Sequence, residues 1–352
     1  MARTCIPLDP NRTGRDAEGL EAGLKKYIVG QDEAIHAIVD AYQMYVTGLM
    51  APGHPVANFL FLGPTGSGKT RIVEAVAETL VGSAHGLIKI DCAEFQHSHE
   101  IAKLIGSPPG YLGHRDTHPL LSQENLNQFH TDKVKLSFVL FDEIEKASDT
   151  LWNLLLGILD KATLTLGDNR RVDFSRTMIF MTGNLGASEM SAVLAPRLGF
   201  RVAAPAAAGA GTALKIVEAG LEAARRRFSP EFLNRLDKIV VFKPLGEPEL
   251  RRILDIELGL VQERILHAAG AQPFLFALTA PAKNYLLREG TDLRYGARPL
   301  KRAVERLLVR PMSNLIASGQ MCPGDTLRVD FDPVQNRLTF FREPERAARA
   351  AA

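Results

Sequence analysis

Apolar residues fall into two kinds of run along this chain. Residues 31–50, QDEAIHAIVDAYQMYVTGLM, repeat apolar side chains at the spacing of one helix face, and the pattern ends at Pro52 and Gly53. Short unbroken apolar runs follow: NFLFL at 58–62, LIKI at 87–90, SFVLF at 137–141 and TMIFMT at 177–182. Such runs, separated by helical or loop material, predict βαβ units and a parallel sheet covered on both faces.

After Pro244 the pattern changes. The stretches 247–270 and 297–319 read as amphipathic helices, with strand-like pieces FLFAL, TLRVDF and RLTFF between and after them. The expected fold is an α/β large domain with a parallel sheet over 15–244, then a small, mainly helical α+β domain over 245–341. Residues 1–14 and 342–352 have little to bury and are expected to be flexible ends. VAAPAAAGAGTA, 202–213, is low in complexity and is expected to form a mobile surface loop, with regular structure resuming at Leu214.

Candidate chemistry sits at the ends of the apolar runs. GPTGSGKT follows NFLFL directly and opens a helical stretch, the context a phosphate-binding loop requires. The loop of Gly63, Pro64, Thr65, Gly66, Ser67 and Gly68 would curl round the phosphates of ATP, its glycines letting consecutive amides turn inward, Lys69 would reach the β- and γ-phosphates, and the Thr70 hydroxyl would ligate Mg²⁺. Asp142 and Glu143 close the run SFVLF, at the sheet edge where ligands bind. The aspartate there can hold Mg²⁺ and the glutamate can polarise an attacking water. Asn184, at the end of the next run, is placed to position that water or to contact the γ-phosphate, although a strand-end asparagine is also a common turn former.

GSPPGYLGH, 106–114, cannot be a regular helix or a central strand, because Pro108 and Pro109 lack amide donors and its glycines favour turns. It is expected to be a loop with an aromatic side chain, Tyr111, at its tip.

Composition removes several classes of function. With 42 basic and 40 acidic residues the net charge is +2, which leaves no overall electrostatic footprint for nucleic acid or an anionic membrane. Cys5, Cys92 and Cys322 have no metal or disulfide spacing, and no apolar run approaches the roughly 18 residues of a membrane helix. A cytoplasmic protein is expected.

The motifs together resemble the AAA+ ATPases of the Clp family, most of all the second ATPase module of ClpB-type disaggregases. The resemblance runs through YIVGQDEAI (27–35), FLFLGPTGSGKT (59–70), GSPPGYLG (106–113), VLFDEIEKA (139–147), residues 158–186, FSPEFLNRLDKIVVFKPL (228–245) and RYGARPLKRAVE (294–305). It implies that Ile28 and Val29 flank the adenine, that Asn184 is the sensor of its strand, and that Arg298 is a second sensor contacting phosphate. It further implies that Arg235 is an arginine finger reaching the ATP of a neighbouring subunit, so that a homohexamer is expected. Read without the family, these two arginines are ordinary members of a basic-residue population. Tyr111 and Leu112 would project into the central channel and grip unfolded polypeptide, with tyrosine supplying contact area at low entropic cost.

The function so implied is ATP-dependent protein unfolding or remodelling. One alternative is the regulatory ATPase of a two-component protease, docking a ClpP-like peptidase through Leu198, Gly199 and Phe200. Two further alternatives are a nucleic-acid remodeller, which the charge balance disfavours, and a nucleotide-gated scaffold, which the pairing of Lys69 with Glu143 disfavours. The chain departs from the family in two respects. It is expected to be one module standing alone, and HRDTHPLLSQENLNQFHT (114–131) replaces a more glycine-rich, acidic stretch; its histidines His114, His118 and His130 are expected to be solvated loop residues.

Overall fold

Every residue of β1 (Ala57–Leu62) is buried, which requires cover on both faces of the sheet. A computed structural model describes residues 9–10, 12–107, 118–194, 210–267, 273–292, 296–321 and 324–343. In it β1 lies between two parallel neighbours, and β2 (Ile88–Asp91), β3 (Ser137–Asp142), β6 (Thr177–Gly183) and β7 (Lys238–Val241) complete a five-stranded parallel sheet of order β2-β3-β6-β1-β7. A separate two-stranded ribbon joins β4 (Thr163–Thr165) to β5 (Arg171–Asp173).

Side chains alternate along each strand and so divide the core into two layers. Leu60, Leu62, Val139, Phe141, Ile179 and Met181 pack on one face, beneath the helix Asp149–Lys161. Phe59, Phe61, Phe138, Leu140, Met178 and Phe180 pack on the other, against the helices Arg15–Tyr27, Asp32–Thr47 and Lys69–Val81. The register pairs Phe61 with Thr182, Leu62 with Gly183 and Phe141 with Met181, so the carboxyl ends of β1, β3 and β6 form one edge. Open parallel sheets bind ligands outside that edge.

The described residues group into two compact units, Met1–Gly63 with Lys69–Phe242 and Pro64–Gly68 with Lys243–Ala352. The second unit is a small α+β domain. Its sheet pairs β8 (Leu275–Leu278) parallel to β9 (Thr326–Asp332), and β9 antiparallel to β10 (Arg337–Glu343). Leu250, Leu254, Leu286, Leu300, Leu308 and Val329 form its core, drawn from that sheet and from the helices Glu247–His267, Ala280–Gly290 and Arg298–Val304 with the π-turn that follows it.

Four expectations require correction. The first long helix ends at Thr47, ahead of Pro52, because Gly48 adopts φ 69° and caps it, its amide reaching Tyr45 O at 3.1 Å while Leu49 N reaches Met44 O at 3.2 Å. The helix expected from Leu214 begins at Ala210, inside the stretch read as a 202–213 loop; alanine is the strongest helix former and offsets the glycine there. Arg342 and Glu343, assigned to a flexible tail, pair with Leu327 and Thr326, and Arg342 Nε lies 2.6 Å from the carboxylate of buried Asp325. His130 is half-buried rather than solvated. Its Nε2 lies 2.9 Å from Ser137 Oγ, and burial, followed by Arg176 and Lys135, pushes its pKa below the usual histidine range.

Candidate active site

The site in the first unit is assembled where β1, β3 and β6 end. Gly63 leaves β1 at φ 148°, packed so closely that a Cβ there would lie 2.7 Å from the Phe242 carbonyl oxygen. Gly66 and Gly68 take positive φ angles of 78° and 102°, accessible at low cost to glycine. Lys69 then opens the helix Lys69–Val81, only 7% exposed. Its ammonium donates to Gly63 O at 2.8 Å and to Asn184 Oδ1 at 3.0 Å. These contacts hold the cation at the helix N-terminus, where phosphate is favoured. Pro64, Thr65, Gly66, Ser67 and Gly68 group with the second unit; within that unit the Ala297 amide donates to Gly66 O at 3.1 Å, and Arg298 follows as the first residue of the helix Arg298–Val304.

Thr70 and Asp142 lie side by side. Thr70 Oγ1 lies 3.4 Å from both Asp142 carboxylate oxygens, and Lys89 Nζ is 3.8 Å from one of them. One carboxylate and one hydroxyl are a hard-oxygen donor pair that suits Mg²⁺, which takes few protein ligands and fills its remaining positions with phosphate and water. Among the described residues no cluster of three or more His, Cys, Asp or Glu offers a competing metal cage.

Glu143 occupies the left-handed region at φ 58°, ψ 48°, uncommon for a residue with a Cβ. Its amide donates to Thr182 Oγ1 at 3.1 Å. Its carboxylate accepts from Asn184 Nδ2 at 3.3 Å and from Lys146 Nζ at 2.5 Å. The pairing with Glu143 raises the Lys146 pKa. Asn184 therefore bridges Lys69 and Glu143 through one amide group.

Several contributors carry no sequence signal of their own. Thr182, 1% exposed, donates to Asp142 Oδ1 as well as accepting from Glu143 N, and so fixes two adjacent acidic residues at once. Glu145 Oε1 accepts from the Asn184 amide at 2.9 Å.

Arg235 stands elsewhere. It precedes β7, and Asn58, near the start of β1, donates through Nδ2 to Arg235 O at 3.2 Å. Its guanidinium pairs with Glu231 at 3.1 Å and with Asp160 at 3.7 Å. Asn58 and Leu62 are separated by four strand residues, about 13 Å. Arg235 is therefore at the amino edge of the sheet, opposite Lys69 and Glu143. It lines a cavity of about 920 Å³ with His36, Asp40, Met44, His54 and Asp237. Ile28 and Val29 are buried at the turn between the first two helices. Tyr111, Leu112, Leu198, Gly199 and Phe200 lie outside the described residues.

The arrangement matches a known family. Residues 54–239 fit the model for the AAA domain (Cdc48 subfamily). The chain belongs to the AAA domain family. Residues 245–329 of this AAA chain fit the model for the C-terminal, D2-small domain of ClpB protein. It is 37% identical over 317 residues to the chaperone protein ClpB of Pseudomonas putida, a match covering 90% of this chain and 34% of that protein. It is also 37% identical to the ATP-dependent Clp protease ATP-binding subunit ClpC of Staphylococcus epidermidis, with 94% of this chain and 38% of that protein covered. A closed-state cryo-EM reconstruction of Hsp104 with ATPγS and FITC casein superposes with a TM-score of 0.74 at 30% identity, covering 92% of this chain and 52% of that one. The AAA chain spans about a third of the length of these curated relatives.

Proposed function

We propose that the chain hydrolyses ATP in a homohexameric ring and uses the energy to unfold or remodel polypeptides. The observation that carries this reading is the Lys69–Asn184–Glu143 bridge beside the Thr70–Asp142 pair, with Arg235 at the opposite edge of the same sheet. Lys69 binds the β- and γ-phosphates, the loop of Gly63, Pro64, Thr65, Gly66, Ser67 and Gly68 surrounds them and donates through the N–H of each residue but Pro64, and Thr70 and Asp142 would hold Mg²⁺. Held there, the ion would supply positive charge to offset the negative charge that develops on the transferred phosphate. Glu143 accepts the proton of the attacking water, and Asn184 orients both. Ile28 and Val29 flank the base, and Arg298 senses phosphate from the small domain.

Arg235 cannot serve the site of its own chain from the far edge of the sheet, so it completes a neighbour's. Such a finger contributes on the order of 10³–10⁵ in rate in other nucleotide hydrolases. Tyr111 and Leu112 then grip the threaded chain, consistent with the casein in the Hsp104 neighbour.

A mixing experiment tests the scheme. Glu143→Gln and Arg235→Ala subunits should each be nearly inactive alone. Together they should recover activity, because a Glu143→Gln subunit lends its arginine to an Arg235→Ala site; no recovery would place Arg235 outside a shared site. Tyr111→Ala should keep ATPase activity and lose unfolding of a tagged substrate, whereas equal loss of both would mark the tyrosine as structural. The name of the ClpC relative favours a second reading, a peptidase partner docked through Leu198, Gly199 and Phe200. Loss of co-purification with a ClpP-like peptidase on Phe200→Ala would support it.

A further inference from the structure

The loop from Glu143 to Ala147 keeps Glu143 in a left-handed conformation that any Cβ disfavours, and such a conformation persists only where its surroundings hold it. From inside the site, Thr182 holds the Glu143 amide and Asn184 holds its carboxylate. From outside, two successive carbonyls of the loop are each held by a side chain. Trp152 Nε1 donates to Ile144 O at 3.1 Å. Arg227 donates to Glu145 O through Nη2 at 2.7 Å and Nε at 3.3 Å.

The two donors also brace each other. The Arg227 guanidinium carbon lies 4.3 Å from the centre of the Trp152 ring, a cation–π contact, and Phe228 meets that ring edge-on at 5.5 Å. Trp152 comes from the helix Asp149–Lys161 and Arg227 from the end of the helix Ala210–Arg227, so two separate elements converge on one short loop. A tryptophan serving only the core could leave its N–H to solvent, and an exposed arginine could point anywhere. Here both aim at the peptides that follow the catalytic glutamate.

We infer that Trp152 and Arg227 are positioning residues for hydrolysis: a stacked pair that clamps the carbonyls of Ile144 and Glu145 and so keeps the Glu143 carboxylate at Asn184, facing the water. This rests on the proposed role of Glu143. Rotation of the Ile144 or Glu145 peptide would swing the carboxylate away, and a displacement of about 1 Å in a reacting group can cost up to about 10²-fold in rate. Because the clamp touches neither Lys69 nor Thr70, it acts on turnover and leaves ATP binding alone.

The test uses the full chain with ATP and Mg²⁺, comparing wild type, Trp152→Phe, Arg227→Met and Glu143→Gln. Phenylalanine keeps the ring without the N–H; methionine keeps an apolar stem over Trp152 without the guanidinium. Each should lower kcat by about tenfold, of the order expected for one lost positioning hydrogen bond, with KM for ATP unchanged within about twofold. Arg227→Lys should recover only part of the loss, since an ammonium provides neither the fork nor the planar stack. Trp152 is the one tryptophan in the chain, so its emission reports the clamp directly. It should shift when ATP binds Glu143→Gln, and that shift should vanish in Glu143→Gln/Arg227→Met. Wild-type kcat in both Trp152→Phe and Arg227→Met, or a parallel rise in KM, would overturn the clamp. Undiminished hydrolysis by Glu143→Gln would instead overturn the role of Glu143 on which it rests.

Discussion

Asn184 joins Lys69 to Glu143: its Oδ1 accepts the lysine at 3.0 Å and its Nδ2 donates to the glutamate at 3.3 Å. Truncating it severs both arms while leaving the phosphate loop in place. Asn184→Ala should lower kcat by about 10²-fold, of the order seen when one preorganised donor is removed, with a smaller effect on ATP affinity. Single-turnover kinetics beside equilibrium nucleotide binding will separate the two.

Thr182 serves Asp142 and the Glu143 amide from a position that is 1% exposed. Thr182→Val keeps its shape and strands both partners, so it should destabilise the first unit by about 1–3 kcal/mol. It should also weaken the Mg²⁺ dependence of activity. Urea unfolding and an Mg²⁺ titration measure these effects independently.

Gly63→Ala would bring a Cβ to 2.7 Å from the Phe242 carbonyl at φ 148°. Backbone strain and overpacking together should cost about 3 kcal/mol. A fall in melting temperature with nucleotide binding lost in parallel is the expected result; a neutral substitution would show that the strand end yields.

Asp237 accepts the Asn58 amide at 2.7 Å, yet burial raises its pKa, against the opposing influence of that hydrogen bond and of His54. A raised folded-state pKa means that the folded protein binds the proton more tightly. Its contribution to stability is therefore present below the ordinary aspartate range and is lost as pH rises through the raised value. Asp237→Asn keeps an acceptor for Asn58 but cannot ionise. Its stability relative to wild type should rise as pH climbs from the ordinary aspartate range through the raised value. Thermal melts across that range will show a flat difference if burial is immaterial.

Much of this was legible in the sequence because hydrophobic runs and glycine chemistry carry their own geometry. NFLFL suits a strand with both faces covered, and GPTGSGKT directly after it fixed the position of Lys69. β7 escaped notice because its run is short and starts on an exposed lysine; it becomes a strand only by pairing with β1. The end of the first long helix was misplaced because a lone Gly48 is a weaker signal than Pro52-Gly53, although left-handed capping decides the matter locally. Thr182, Trp152 and Arg227 were invisible for a different reason. Their roles depend on which carbonyl or carboxylate a fold brings within 3 Å or so, and no spacing along a single chain encodes that.

In the ring proposed above, the six residues of β1 would keep the arginine that each copy gives away apart from the pocket that each copy must have filled. A contact joining the two is necessarily head to tail, since the patches that meet are different and no self-complementary pairing can satisfy both. Contacts of this kind have a direction. They close on themselves when the rotation per copy divides the circle, and otherwise extend without limit as a filament. Changes at this seam that alter the angle by a few degrees would therefore alter the topology of the assembly without touching any reacting atom.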